Sequence, residues 1–482
     1  MFNGMLFHTL TFWVFFGIFL AAYWRLGLRG QNVLLLVATN FFYGWWDWRF
    51  LPLIWYLVSV DFFIGRQIGR ETREPVRRGL VALSLLSNLG LLFVFKYLNF
   101  FAGESCHLLG LLGYPCDVPG WIKNIILPLG ISFHTFQTVS YIMDVYRRKT
   151  APVQRWMDYA LFCGFFPQLL AGPIERGSTL MPQLFTKRPP LSADDFAEGF
   201  YHLMTGIFKK VVVADNMAVV VNHIFSLPPE ERSAWEVLLG AYAFAFQVYG
   251  DFSGYSSMAQ GIAKWMGFTL SWNFRMPFLA TSPQVFWQRW HITLSTWLRD
   301  YLFMPLMRMT WLQGMVKVYV VAILVQLASG VWHGANWTFL LWGLLHGVYL
   351  CAQLWLTRKG WFAEPPAGAS LLRRMPWILG TFHLMCVGMI LFRADSITQA
   401  GEMFAAFGSH WSLSPLVIYC VAQLVLFAGP LMLFEGWLEV RKDPLALLKA
   451  PWQVRAAAYG VMLIMIWFLP PENTNEFIYF QF

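Results

Sequence analysis

Charge is scarce in this sequence of 482 residues. Asp, Glu, Lys and Arg together make up 13% of it, whereas 57% is hydrophobic and 18% aromatic. A soluble domain carries about twice that share of charge. The longest polar stretches, 173–199 and 357–375, are too short to build a core of their own, so no soluble domain is predicted within the sequence. No internal repeat and no low-complexity segment is present, which argues against the repeated halves common in transporters. Six cysteines are scattered with no CxxC pair. There is no HExxH or other metal-ligand spacing, no phosphate-binding glycine loop and no serine-triad pattern, so no resident metal and none of the familiar soluble chemistries is predicted.

What is abundant is apolar sequence of membrane-spanning length. Such runs lie near 6–24, 79–101, 122–143, 316–332, 337–356, 376–392, 413–434 and 455–470. Shorter or broken ones lie near 33–48, 50–64, 158–172, 203–223 and 237–250. They predict an all-α, polytopic transmembrane protein with roughly 11 spans plus re-entrant segments. The start, MFNGMLFHTLTFWVFFGIFL, has no basic n-region and no small-residue cleavage site, so it reads as a first span. The organisation expected is one membrane-embedded domain over 1–482, with core motifs at 159–347 and peripheral spans at 1–158 and 348–482.

The net charge of +9 does not point to nucleic acid, because the basic residues fall in short loops between apolar runs. These are Arg25 and Arg29; Arg66, Arg70, Arg73, Arg77 and Arg78; Arg147, Arg148, Lys149 and Arg155; Arg358, Lys359, Arg373 and Arg374; and Arg441, Lys442 and Lys449. Positive loops stay in the cytoplasm. Basic-poor loops near 102–121, 224–236 and 394–412 alternate with them, and both termini then lie outside. Cys106 and Cys116 share one predicted external loop, where they form either a disulfide or two free thiols.

Between 159 and 347 the apolar runs are broken repeatedly by Gly, Pro and polar residues, as in FFPQLLAGPIERGSTLMPQL (165–184), QVYGDFSGYSSMAQG (247–261) and FWQRWHITLSTWLRDYLFMPL (286–306). Broken helices at membrane depth persist only where protein buries them or water lines them, so the pattern predicts a central funnel or tunnel. SGVWHGANWTFLLWGLLHG (329–347) places His333 and His346 in a nearly apolar run. Burying such a ring is costly without a partner or a task. His333 is flanked by Trp332 and Trp337 and followed by Gly334, which leaves room for a second backbone or a substrate. Asn336 and Thr338 are placed to orient a ring or a carbonyl. His333 is either functional or pins the turn between two spans. His346 comes 13 residues later, about 20 Å along if the segment were one helix, and reads as structural.

In 286–306, Arg289, His291, Ser295, Arg299 and Asp300 stand among three tryptophans. His291 and Ser295 are i,i+4 neighbours, and Asp300 can neutralise Arg299 or another buried cation. The segment suits either the grip of a phosphate-bearing carrier or an interfacial anchor helix. Asp251, Ser253, Tyr255, Ser256 and Gln260 line a tunnel or glue helices together. His134 and Gln137 suit packing hydrogen bonds, and Glu175 with Arg176 an ion pair at a re-entrant tip.

Taken in order, these motifs, with DFSGYSSMAQGIAKWMGF, NFRMPFLATSPQVFWQRWHITLSTWLRDYLF and LFRADS (391–396), resemble the membrane-bound O-acyltransferases over about 32–396. The resemblance is to the bacterial branch that acetylates alginate, peptidoglycan and cellulose. It implies His333, of the WHG motif, as the principal catalytic residue and His291 as the second. Asn336, Asp251, Ser253, Tyr255, Arg289, Arg299, Asp300 and Trp332 become candidates for lining the passage, which in this family pierces a thinned centre. It further implies a bacterial inner-membrane enzyme with no bound cofactor. The enzyme would take acetyl groups from acetyl-CoA or another acetyl thioester on the cytoplasmic side, for O-acetylation of an exported alginate-like or cellulose-like polysaccharide. Periplasmic acetyltransferase or polymer-modifying proteins would be its partners, within membrane lipid. The chain departs from the branch at MRMTWLQG (307–314), where many members carry a Gly-Gly-Asn-Arg type stretch, so no donor or partner contact carries over to that loop. A neutral imidazole in a tunnel can act as general base or carry the acetyl group covalently. The alternatives are D-alanyl transfer from a carrier protein and, in another class, a transporter or channel with His333 as a gating or relay group.

Overall fold

The computed structural model describes residues 5–310, 312–366, 368–408, 411–470 and 477–478, and among these every regular element is helical. Among the described residues six helical runs have the length and apolarity to cross a membrane: Leu28–Arg70, Glu74–Leu111, Gly314–His333, Trp337–Arg358, Leu371–Arg393 and Pro415–Arg441. The first, of 43 residues, holds two span-length helices, Leu28–Asp47 and Leu51–Arg70. Its path is broken at Asp47, whose backbone is extended and whose carboxylate accepts the Arg49 N–H.

Several predicted spans are shorter than the apolar sequence suggested. Leu10–Tyr23 has 14 residues, which rise about 21 Å against a hydrocarbon core of about 30 Å. The 122–143 run is helical as one piece only from Ile131, because Pro128 and Gly130 interrupt it. Gly130 takes a φ of 73°, and a Cβ there would lie 2.4 Å from the Leu169 carbonyl oxygen, so only glycine fits. Large apolar side chains such as Leu86, Ile418, Leu433 and Trp467 are exposed, as expected of surfaces that meet lipid.

The chain forms two compact units. The first holds residues up to Gly199 together with Ala259–Ser271. Its helices are tied by buried polar groups, which the membrane interior favours over leaving them unpaired. Asp61 accepts from Ser84 Oγ and from Asn88 Nδ2 at 2.8 Å, and Thr138 Oγ1 donates to Asn88 Oδ1 at 3.0 Å, linking three helices. Gln137 donates to the Phe162 carbonyl at 2.6 Å, the packing bond expected of it, and His134 is buried nearby on the same helix. Glu175 accepts from both the backbone N–H and the hydroxyl of Ser271. Cys106 and Cys116 are joined as a disulfide.

The second unit holds Phe200–Met258 and Trp272 onward. Its central device is a hairpin of the Gly314–His333 and Trp337–Arg358 helices, which turns at residues 334–336 as the sequence predicted. The two backbones touch: a Cβ on Gly343 would lie 2.4 Å from the Gln326 carbonyl oxygen, and one on Gly330 2.2 Å from that of Phe339. This contact fixes the register in which the hairpin presents His333. The C-terminal ENTNEFIYFQF, expected to face outward, lies outside the described residues except for Phe477 and Ile478.

Candidate active site

The segment that carries His291 is not one helix. Ser282 caps Pro283–Arg289 by accepting the Val285 N–H at 3.2 Å. The chain then opens into extended backbone at Trp290 and enters the left-handed region at His291, with φ 42° and ψ 55°. A second helix, Ile292–Leu298, starts immediately after. His291 therefore occupies the vertex of a kink, outside both helices, and does not share a helix face with Ser295 as i,i+4 spacing had implied. Left-handed backbone costs a non-glycine residue on the order of 1–2 kcal/mol. Asn273 offsets this from two sides: its carbonyl accepts the Ile292 N–H at 2.9 Å, and its Oδ1 lies 3.0 Å from His291 Nδ1.

His333 is the last residue of its helix and is buried. Aromatic rings surround it: Trp332 at 4.9 Å, Trp342 at 5.1 Å and Phe392 at 5.1 Å between centroids. The indole of Trp332 also lies 5.9 Å from the His291 ring, so one side chain touches both histidines. Phe252 and Phe274 complete the wall around His291, at 4.7 and 6.3 Å. The two rings implied as functional thus both lie among aromatic side chains of the second unit and contact the same indole. In such a medium a transferred charge is weakly screened.

Several neighbours play other parts than their residue types suggested. The space beside Gly334 is not open to a substrate backbone, because a Cβ there would lie 2.1 Å from the Phe339 ring. Asn336 caps the second hairpin helix by accepting the Thr338 N–H at 3.1 Å, and donates to the Asp395 carbonyl at 3.0 Å. Trp337, which flanks His333 in sequence, is 44% exposed, and Trp342 packs 5.1 Å from the His333 ring. His346 lies on the other arm of the hairpin from His333, so the distance along one straight helix does not apply. Its ring packs tilted against Trp342 at 4.6 Å, and the same indole contacts His333.

Asp251 is committed to a buried ion cluster. Lys210 lies 2.8 Å from both Asp215 and Asp251, all three nearly fully buried, and the second oxygen of Asp251 accepts the Ile478 N–H at 2.6 Å. Tyr255, one helical turn on, packs its ring 5.2 Å from Phe477. Ser253 is buried about 200° round the helix from Asp251. Arg289 faces Glu439 at 2.9 and 3.1 Å, and Arg374 reaches the same carboxylate at 2.8 Å. Its charge is balanced within the protein, not held open for a phosphate. Arg299 and Asp300 pair at 2.9 Å, as expected, in an exposed position that suits an interfacial anchor. Among the described residues no three His, Cys, Asp or Glu side chains converge on a point that would hold a metal ion.

Sequence reasoning missed Asn273, Glu439, Trp342 and Phe392. Asn273 opens the NFRMPF stretch and is a lone amide among apolar neighbours, which is a signal in itself. Glu439 carried none, since it lies 150 residues from its partner.

Known proteins resemble this chain along much of its length. The membrane-bound O-acyltransferase family pattern matches residues 130–392. A probable alginate O-acetylase of Pseudomonas putida is 36% identical, over 97% of this chain and 98% of its own length. A peptidoglycan O-acetyltransferase of Helicobacter pylori is 34% identical, over 82% of this chain and 78% of its own. A teichoic acid D-alanyltransferase of Bacillus subtilis is 29% identical, over 56% of this chain and 69% of its own.

Proposed function

The chain belongs to the membrane-bound O-acyltransferase family and is a multi-pass membrane acyltransferase, and from that premise we propose that it moves acetyl groups for O-acetylation of an exported polysaccharide. The donor is acetyl-CoA or another acetyl thioester on the cytoplasmic side, and the acceptor lies outside the inner membrane of a bacterium. The whole of 1–482 acts as one acyltransferase domain with its core motifs at 159–347. Its shorter helices and broken segments bring the count to roughly 11 spans plus re-entrant pieces around a central passage. A periplasmic acetyltransferase or other polymer-modifying protein receives or directs the acetyl group.

The observation that carries this reading is the pair of buried rings, His291 and His333, in contact with one indole, Trp332. An acyl transfer needs a base where the acceptor hydroxyl meets the thioester, and a dry surround in which the base stays neutral. As general base, His333 takes the hydroxyl proton as the oxygen attacks the thioester carbonyl, and the proton then leaves with the thiol. As covalent carrier, its nitrogen displaces the thiol first, and the acceptor oxygen then displaces the imidazole. His291 assists through its own contact with Trp332. Asn336, Asp251 and Arg289 enter this reading as groups that hold the site's elements. Ser253, Tyr255, Arg299 and Asp300 line the approaches to the passage.

D-alanyl transfer from a carrier protein is the second reading. It is supported by the B. subtilis similarity, which covers only 56% of this chain. The test reconstitutes the full chain in proteoliposomes with radiolabelled acetyl-CoA outside and, inside, soluble polysaccharide together with a periplasmic extract that supplies the partner protein. Labelled polymer is the expected result. No acetyl label, with label arriving from a D-alanyl carrier protein, would replace the first reading by the second.

A further inference from the structure

We infer that Asn273 is a positioning residue that holds His291 in its Nδ1–H tautomer, so that the lone pair of the neutral ring lies on Nε2. This deepens the proposed function and rests on its assignment of His291 to the transfer.

The argument begins with the orientation of the amide. Three groups meet one end of the Asn273 side chain: His291 Nδ1 at 3.0 Å, Thr293 Oγ1 at 3.0 Å and the backbone nitrogen of Thr293 at 3.4 Å. A backbone N–H can only donate, so the atom facing it is oxygen. The other end of the amide lies 3.3 Å from Ser256 Oγ, a hydroxyl that can accept. A carbonyl oxygen has no proton to give, so His291 Nδ1 supplies the one between them. The remaining ring nitrogen of neutral imidazole is then the basic one.

The rest of the surroundings agree. Among the described residues the rings packed on His291 include Phe252, Phe274 and Trp332, none of which ionises in the working range. The partner is an amide and not a carboxylate, so it orients the ring without drawing a second proton onto it. The backbone contributes as well. The Asn273 carbonyl accepts the Ile292 N–H at 2.9 Å, so one residue fixes the left-handed turn at His291 and the rotation of its ring together.

The test is 15N spectroscopy of the full chain in detergent or nanodiscs, labelled at histidine, with the His291 signals assigned by their loss in His291→Gln. A protonated Nδ1 and a bare Nε2 are expected. In Asn273→Leu this signature should give way to a mixture, with kcat down about 10–100-fold, as for other groups that orient a working histidine, and KM for the donor nearly unchanged. Asn273→Asp keeps the oxygen and the shape, and should keep the protonated Nδ1 even if the leucine variant fails to insert. A protonated Nε2 in the unaltered protein, an Nδ1–H signature that survives Asn273→Leu, or one lost in Asn273→Asp overturns the proposal whatever the activity. A fully active His291→Gln protein overturns instead the assignment of His291 to the transfer, and it is read independently of the spectrum.

Discussion

Arg289 and Glu439 form a two-point ion pair, at 2.9 and 3.1 Å, between the segment that bears His291 and the end of the Gly429–Arg441 helix. The pair joins residues 150 apart in sequence, and Arg374 adds a third charge at 2.8 Å. The Arg289 side chain is 21% exposed and that of Glu439 10%. Removing the carboxylate leaves two guanidinium groups facing each other. Glu439→Gln should therefore cost on the order of 1–3 kcal/mol, less than the roughly 3–5 kcal/mol seen when a fully buried pair is broken. Activity should fall with it, because the kink at His291 begins two residues beyond Arg289. Thermal unfolding in detergent checks the first part. An unchanged melting temperature in Glu439→Gln would show that the clamp does not hold this segment.

Gly334 makes a second prediction. A Cβ there would meet the Phe339 ring at 2.1 Å, and Phe339 packs 4.9 Å from Phe392, which walls His333. Gly334→Ala must displace that ring, and overpacking of this kind costs typically about 1–3 kcal/mol. The variant should insert and melt lower, with transfer reduced at least tenfold. Phe339→Leu in the same chain should restore part of both, since it removes the clashing edge. Failure of that second change to help would place the defect elsewhere.

Much of this was legible in the sequence, and the limits are physical. Apolar runs reveal helices well, but not where they break: 122–143 reads as one span, although Gly130 turns it. The motif histidines were found because an ionisable ring in apolar sequence stands out. The bonds that fix them were not, because hydrogen-bond partners such as Asn273 and counter-ions such as Glu439 are set by tertiary contact. Polar residue types also overstate a passage. Asp251 and Arg289 looked wet in one dimension, and in three each faces its own counter-charge.

The disulfide between Cys106 and Cys116 supports the orientation drawn from the basic loops, since disulfides persist outside the cytoplasm. Single cysteines introduced into 65–78 and 357–375 should then be shielded from an impermeant reagent in intact cells. A cysteine near Tyr114, which is exposed, should react. Labelling of the 65–78 loop from outside would reverse the orientation.

His333 and His346 belong to one stretch of sequence and flank one indole, Trp342, at 5.1 and 4.6 Å. They are expected to respond in opposite ways to substitution. His346 is fully buried, wedged between Trp342 and Trp287, with a Cβ on Gly388 only 2.8 Å from its Nε2. A leucine fills a similar volume without a polar ring, and replacing a buried polar group by an apolar one of like shape is often nearly neutral. His346→Leu should keep transfer within about threefold of the unaltered chain. His333→Gln keeps a hydrogen-bonding side chain of similar reach but cannot shuttle a proton near neutrality. It should lose roughly a hundredfold to ten-thousandfold in rate, the usual loss when a general base is removed, while melting within a few degrees of the unaltered chain. An active His333→Gln protein would reduce that ring to a pin for the turn. Loss of transfer in a well-folded His346→Leu protein would move the second functional ring from His291 to His346.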